Sequence, residues 1–353
     1  MPNAPFHRLR GRQALRGACI AALACGSISG AVAGTFTVSN LADSGPGSLR
    51  AAVAAANANP GPDVVQFEID GTIRLLSPIE VTDDLRLDGG GRRVVLNGGD
   101  RVTLLVAADE HKTLQVARLT LEHANHSQST GGAIVSRGTL QVIESLFTDN
   151  LAPVGGALYV SGPRLLVENS TFANNRALSW GGAIAVGATT QAEITSSTFV
   201  ANDAAEFGGT LFQNPIYVTH PKIGSMLVRN SVISGVASRG NCSVISNRLI
   251  DGGGNINSDA SCPFKADKGS INSTNPLLGE LSHHGGPTRT FAPLPGSPAV
   301  DTGVTTHVRE ARLTTDQRGY LRVAGPQVDK GAFEVQAGDR TAATIARPRV
   351  PTP

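Results

Sequence analysis

A tetrapeptide that begins with two glycines recurs at nearly regular spacing in the middle of the chain. GGAI at Gly131 returns as GGAL at Gly155, GGAI at Gly181 and GGTL at Gly208, at steps of 24, 26 and 27 residues. A fixed period of about 20 to 50 residues is the sequence signature of solenoids and other repeat folds. The repeat therefore constrains the architecture more strongly than any single residue does.

A second motif, F-x-x-N, keeps the same register as the glycine pairs. Its phenylalanines lie 25 and 27 residues apart, and its asparagines move with them. We expect the phenylalanines to stack in the core and the asparagine amides to form a ladder that bonds the coils above and below. The motif residues are Phe147 with Asn150, Phe172 with Asn175, and Phe199 with Asn202.

An apolar or small residue stands seven positions before each phenylalanine or its equivalent, where a short strand opens. Five turns of the repeat are detectable in this way, with insertions at 122–130 and 212–224. Within one repeat the pattern predicts three short strands, for example at 157–160, 165–167 and 170–172. The paired positions are Leu114 and Leu121, Leu140 and Phe147, Leu165 and Phe172, Ala192 and Phe199, and Met226 and Ile233.

These features predict an all-β fold, a right-handed, single-stranded parallel β-helix with coils stacked about 4.8 Å apart. The 41 glycines and the low aromatic content of 4% suit many short strands and turns. We assign residues 64–270 to the coils. An amphipathic helix predicted at 48–57, with Leu49, Ala52, Val53 and Ala56 on one face, would cap the first coil within residues 34–63.

The first 33 residues are typical of an export signal. A basic region with four arginines precedes an apolar stretch, and Ala31-Val32-Ala33 supplies a small-x-small cleavage pattern. Lipidation at Cys25 and a buried N-terminal helix are the alternatives. The arginines are Arg8, Arg10, Arg12 and Arg16.

Removal of these arginines leaves 26 basic residues against 28 acidic ones, a net charge of about −2. No basic run remains that would indicate nucleic-acid binding, and no apolar span remains that would cross a membrane. Cys242 and Cys262 are then the remaining cysteines, and such a pair in an exported chain predicts a disulfide.

The alternation of F-x-x-N with GGA[IL] resembles the repeats of the chlamydial polymorphic outer membrane proteins over residues 114–211. That resemblance implies a parallel β-helix exposed at a cell surface. Those proteins end in a membrane barrel, which the few residues after Glu334 cannot supply.

The C-terminal part is similar to the bacterial choice-of-anchor Q domain. GGPTRTFAPLPGSPAVDTG at 285–303, TDQRG at 315–319 and DKGAFE at 329–334 follow that family's order. SGPGSLRAAVAAAN at 44–57 and the cysteines around DGGGNINSDASC resemble it too. The resemblance implies that residues 271–335 complete the helix before a disordered tail at 336–353, and it supplies no catalytic residues.

Enzymatic chemistry is the alternative function, because parallel β-helices host polysaccharide lyases and hydrolases. A hydrolase needs paired carboxylates, and a lyase needs a basic residue beside carboxylates that bind Ca²⁺. Asp83-Asp84 is an adjacent acidic pair, which we interpret as a solvated turn. His123, His126 and His283-His284 lack partners at metal-ligand spacing. We therefore assign no catalytic, cofactor or metal residue.

Charged residues upstream of the repeat's phenylalanines are the first candidates for ligand contact. Glu144, Glu168 and Glu193, with Arg118 and Arg229 in neighbouring repeats, are expected to stack into one outward column. Trp180, the sole tryptophan, lies on a predicted turn, where an exposed ring suits a sugar.

The favoured interpretation is an exported, monomeric binding or adhesion module directed at glycans or another cell-envelope component. It would act at the cell surface or outside the cell, with the periplasm as a further location. The alternative is a lyase or glycoside hydrolase acting on uronate polymers, which would use Ca²⁺ if it is a lyase.

Overall fold

The computed structural model describes residues 32–125, 130–214, 223–235, 239–243 and 248–339. Nearly all of the predicted signal, with Cys25, lies outside these ranges, as do His126 and most of the predicted tail. The described chain is a parallel β-solenoid with one helix near its N-terminal end, so the predicted parallel β-helix is confirmed. No helix in the described ranges is long and apolar enough to cross a bilayer.

A complete coil passes through three parallel sheets, which we name sheets A, B and C in the order the chain visits them. Sheet A has nine strands: Thr35–Val38, Asp63–Phe67, Leu85–Asp88, Thr113–Ala117, Thr139–Ile143, Arg164–Glu168, Gln191–Thr195, Ser225–Arg229 and Leu249–Gly253. Sheet B has eight: Gly71–Arg74, Val94–Asn97, Thr120–Glu122, Leu146–Thr148, Thr171–Ala173, Thr198–Val200, Val232–Ser234 and Ile256–Asn257. Sheet C has six: Ile79–Val81, Leu105–Ala107, Ile134–Ser136, Leu158–Val160, Ile184–Val186 and Leu211–Gln213.

The strand register confirms the spacing of seven residues read from the sequence. Leu140 pairs with Leu114 and Leu165, and Ala192 pairs with Leu165 and Met226. All of these residues are buried in one continuous core. Because side chains of neighbouring coils stack directly, each position of the repeat becomes a column along the solenoid axis.

The phenylalanine stack and the asparagine ladder are also present. Phe172 lies between Phe147 and Phe199, with ring centroids 4.8 and 5.0 Å away and the rings nearly coplanar. Asn150 Nδ2 donates to Asn175 Oδ1 at 2.8 Å, and Asn175 Nδ2 donates to Asn202 Oδ1 at 2.9 Å. Buried amides are thus paired from coil to coil, as burial of polar groups requires.

The two glycines of each pair are required for different structural reasons. The first glycine of each pair, as at Gly155 and Gly181, has a positive φ, +69° and +67°. The second has no room for a side chain, because a Cβ on Gly156 would lie 2.1 Å from the carbonyl oxygen of Gly182. This close approach of stacked backbones is open to glycine alone.

Three coils carry a short fourth strand that the sequence did not predict. These strands form sheet D, which lies between sheets B and C in the chain: Leu151–Val154, Arg176–Trp180 and Asp203–Ala204. Trp180 pairs here with Val154 and bridges Phe207, so it belongs to a strand and not to a simple turn.

The N-terminal cap is the helix α1, Leu49–Ala58, and the Ser48 side chain that precedes it accepts a hydrogen bond from the Ala51 amide. Its buried residues are the four predicted ones, Leu49, Ala52, Val53 and Ala56. The structure adds a strand before this helix, because Thr35–Val38 pairs in parallel with Asp63–Phe67. Sheet A therefore begins within the region assigned to the cap.

Residues 275–339, here called the C-terminal segment, contribute little to the coils. Ile271 still bridges Ile256, but the chain beyond it runs back along the outer face of sheet B. This differs from the predicted completion of the helix, because the two strands of the segment pair with each other in an antiparallel sheet and do not join sheets A, B or C. The segment contains the antiparallel strands Leu278–Ser282 and Thr290–Pro293 and the helix α2 at Thr305–Glu310. A 3₁₀ turn, Ala266–Lys268, precedes it.

The predicted disulfide between Cys242 and Cys262 is present, with the two Cα atoms 5.0 Å apart. Both cysteines are buried and belong to the main core. The bond joins the last coils to the turn that precedes the C-terminal segment. Disulfides of this kind are typical of exported proteins.

Candidate functional site

The outer face of sheet A is the polar surface that the C-terminal segment leaves open. Alternate residues of each strand point into the core, and the residues between them point outward in columns. One column contains Gln115 and Gln141, whose amides bond at 2.6 Å, and continues through Leu166, Glu193 and Leu227. Sheet B differs, because its outward residues, such as Thr171, are buried under the C-terminal segment.

The predicted single column of glutamates is wrong. Glu168 pairs with Ile143 and Thr195, whereas Glu193 pairs with Leu166. Glu144 lies outside the strand, at a corner where its φ is +50°. The three glutamates therefore occupy three different positions of the repeat, because each lies a different number of residues before its phenylalanine.

Arg118 and Arg229 are likewise separated. Arg118 shares the corner position with Glu144, whereas Arg229 pairs with Thr195 and so continues the column of Glu168. The corner column also contains Asn169, Ser196 and Asn230, all with positive φ.

The Glu144 side chain is bonded to other residues of the fold. Its carboxylate lies 3.2 Å from Arg118 Nη1 and accepts a hydrogen bond from Thr315 Oγ1 at 2.9 Å. Arg118 in turn pairs with Asp88, which is also bound by Arg86. Glu144 is 8% exposed, so little of it is available to a ligand.

Glu168 is the carboxylate on this face that has no partner. It is half-buried, and among the described residues its side chain makes no hydrogen bond or ion pair. Burial raises its pKa to about 7, with a further rise from Glu193 and Glu144 and a lowering effect from Arg164. The Glu193 side chain is 45% exposed, and its carboxylate lies 3.6 Å from Arg164 Nη2.

Trp180 is partly exposed and held in place. Its indole Nε1 donates to Glu206 Oε2 at 2.8 Å, and its ring stacks on Phe212 with centroids 5.4 Å apart. Phe212 points outward from sheet C but is only 4% exposed. Covering this apolar surface accounts for the position of the tryptophan.

A cavity of about 850 Å³, here called the C-terminal cavity, lies at the far end of the sheet A face. Leu227 and Ile250 contribute its apolar surface, and polar residues of the last coil and the C-terminal segment surround them. The polar lining includes Asp267, Lys268, Thr306, His307 and Gln327. Sequence reasoning missed this cavity because its walls come from segments remote in the chain.

The histidines and the Asp83-Asp84 pair do not form a reactive cluster. Lys112 Nζ binds Asp83 Oδ1 at 2.6 Å, and Asp84 accepts the amide of Thr113. His123 faces Asp100 at the surface, and burial lowers the pKa of His283 and of His284. Within the described ranges, no three histidine, cysteine, aspartate or glutamate side chains are placed to hold a metal ion.

The charged residues of TDQRG and DKGAFE hold the C-terminal segment together. The Asp316 carboxylate accepts hydrogen bonds from the main-chain amides of Arg318, Tyr320 and Glu334. The buried Arg318 guanidinium bonds Asp316 and lies 3.4 Å from the centroid of the Phe333 ring. These motifs are therefore structural, although their residue types alone would suit a catalytic site.

A family model agrees with the repeat found in the sequence. The model of the Chlamydia polymorphic membrane protein repeat matches residues 169–187. A crystal structure of Jun a 1, the major allergen from cedar pollen, aligns with 62% of this chain and 79% of its own, at 13% identity and a TM-score of 0.29. No curated protein matches the sequence.

Proposed function

We propose that this chain is an exported binding module that holds a glycan, or another component of a cell envelope, along the outer face of sheet A. The supporting observation is Glu168, a half-buried carboxylate that the fold leaves without a partner. Burying such a group costs stability, and strongly perturbed groups of this kind concentrate at functional sites. The disulfide supports export.

The surface around Glu168 suits a polyhydroxylated chain. Columns of outward side chains run parallel to the solenoid axis and combine amides, carboxylates and aliphatic groups, so a glycan lying along them would make both polar and apolar contacts. Glu168 and Glu193 would accept hydrogen bonds from hydroxyl or ammonium groups and would disfavour a polyanion.

Binding to an array of neutral, amino and acidic glycans tests this function. Glu168→Gln and Glu193→Gln should each weaken retention about tenfold, the effect of roughly 1.4 kcal/mol and within the range of a hydrogen bond to a charged group. Glu280→Gln, at an exposed carboxylate of the C-terminal segment, is the matched control. Retention of no glycan, or equal retention by all variants, would contradict the proposal.

A second candidate is glycoside hydrolysis, favoured by the same raised pKa. Glu168 would keep its proton up to about pH 7 and act as the general acid. Glu193, which lies in the next coil two residues before the partner of Glu168, would be the second carboxylate. Incubation with polysaccharides, including uronate polymers, should then release reducing ends, and Glu168→Gln should abolish the release. Formation of unsaturated, ultraviolet-absorbing uronates would indicate a lyase instead.

A further inference from the structure

The C-terminal cavity has fixed walls. Asn230 bonds Val304 in both directions, from Nδ2 to the carbonyl oxygen at 3.0 Å and from the Val304 amide to Oδ1 at 2.8 Å. Lys268 Nζ donates to the Asp251 carbonyl oxygen at 2.8 Å, which ties the opposite wall to sheet A. The cavity is thus formed before any ligand arrives, which lowers the entropic cost of binding.

The base of the cavity is apolar. Leu227 and Ile250 pair on neighbouring strands and both point outward. Ile250 is 43% exposed even though polar side chains surround it. An exposed aliphatic pair within a polar rim matches a molecule that has one apolar face and polar edges.

The rim is rich in hydrogen-bonding groups and nearly balanced in charge. Lys268 and Asp267 offer opposite charges, and Thr306 and Gln327 offer a hydroxyl and an amide. Burial and the nearby Arg229 lower the pKa of His307, against the opposite effects of Glu310 and of a hydrogen bond with the Gly252 main chain, so its ring is neutral at pH 7. Asp251 also lines the cavity, but its carboxylate already accepts hydrogen bonds from the side chains of Ser270 and Asn255 and from main-chain amides.

We infer that the C-terminal cavity binds the terminal sugars of a neutral oligosaccharide, as a second site separate from Glu168. The C–H face of a sugar ring would lie on Leu227 and Ile250, and its hydroxyls would bond the rim. A volume of about 850 Å³ lies within the range of small-molecule sites and would admit a short oligosaccharide end. The inference rests on the proposed carbohydrate-binding function but does not depend on Glu168 or Glu193.

Saturation-transfer NMR and calorimetry on the full chain, with neutral gluco-, manno- and galacto-oligosaccharides of one to six units, test the inference. We expect saturable binding by at least one series. Ile250→Glu places a charge under the ring, and Thr306→Trp fills the cavity from the exposed start of α2. Each should weaken binding at least tenfold.

Leu178→Glu is the matched control, because Leu178 is also a strand residue, is 44% exposed and lies on sheet D. It should leave the affinity unchanged. Thermal unfolding of each variant separates loss of binding from loss of fold. The inference is overturned if no neutral series binds, or if both cavity variants bind as the unmodified chain does.

The sheet A proposal and the cavity inference can be contradicted independently. Glycan retention that depends on Glu168 with no ligand in the cavity would overturn this inference alone. Neutral-sugar binding lost in Ile250→Glu but unchanged in Glu168→Gln, with no Glu168-dependent ligand, would overturn the sheet A proposal alone.

Discussion

Thr315 donates a hydrogen bond to Glu144 although 171 residues separate them in the chain. Beside this pair, Asn169 Nδ2 donates to the Thr315 carbonyl oxygen at 2.8 Å. The corner column between sheets A and B therefore anchors the C-terminal segment.

Replacement of one anchor should loosen the C-terminal segment. Asn230→Gly keeps the positive φ of this position but removes two hydrogen bonds to Val304. We expect a loss of about 1–3 kcal/mol in unfolding free energy and faster amide exchange around residues 303–310. Asn174→Gly is the control, because Asn174 is exposed and also has a positive φ, +55°. Equal exchange in both variants would show that Asn230 is not an anchor.

The phenylalanine stack should carry much of the stability of the central coils. Phe172→Ala would leave a cavity between Phe147 and Phe199 and should cost about 3–5 kcal/mol. Urea denaturation followed by Trp180 fluorescence measures this loss. Phe207→Ala, at an exposed ring, should cost less than about 1 kcal/mol. Similar midpoints for the two variants would contradict the assignment of the stack to the core.

The disulfide should stabilise the last coils. It closes a loop with a sequence separation of 20, for which the chain-entropy model gives about 3 kcal/mol. Cys242→Ala with Cys262→Ala should lower the denaturation midpoint and speed amide exchange most around 249–262. A reductant should reproduce the shift in the unmodified chain and have no effect on the double variant. An unchanged midpoint after confirmed reduction would refute the stabilising role.

Glu168 should make the chain less stable as the pH rises from about 4.5 to about 7. Its pKa is raised from 4.5 to about 7, so in this window the unfolded chain loses a proton that the folded chain keeps. Glu168→Gln removes this penalty. The variant should therefore gain stability relative to the unmodified chain above pH 7 and not at pH 4.

One pKa unit corresponds to about 1.4 kcal/mol, and partial exposure of Glu168 reduces the expected gain to about 1–2 kcal/mol. Thermal unfolding across pH 4 to 8 measures the difference between the two proteins. Glu280→Gln makes the same charge change at an exposed site. A gain of equal size at every pH would contradict the assignment.

The repeat geometry could be predicted because successive coils place the same kind of side chain at the same core position. Phe147, Phe172 and Phe199 identify the register without any structure, and the strand pairs agree with it. The placement of the charged side chains was harder to predict, because outward residues need not be of the same type in successive coils. Glu168 and Glu193 look equivalent only if the strand and corner boundaries are ignored.

Long-range packing left no periodic signal in the sequence. The C-terminal segment reaches Thr171 through Gln317, 146 residues away, and no spacing rule connects them. The cavity beside α2 depends on the same packing, so it could not be predicted either. A serine two residues before each phenylalanine, as at Ser145 and Ser170, was a periodic signal that sequence reasoning overlooked. These serines form a second ladder of hydrogen bonds between coils.

Repeat proteins often change length by gaining or losing a repeat, because each repeat contacts only its neighbours. Here one continuous segment bonds Glu144, Asn169 and Asn230 at fixed points along its own length. Removing the coil of Ser196, which lies between the coils of Asn169 and Asn230, would shift one anchor by about 4.8 Å relative to the segment. The number of coils in this region can therefore change only together with the sequence that crosses them.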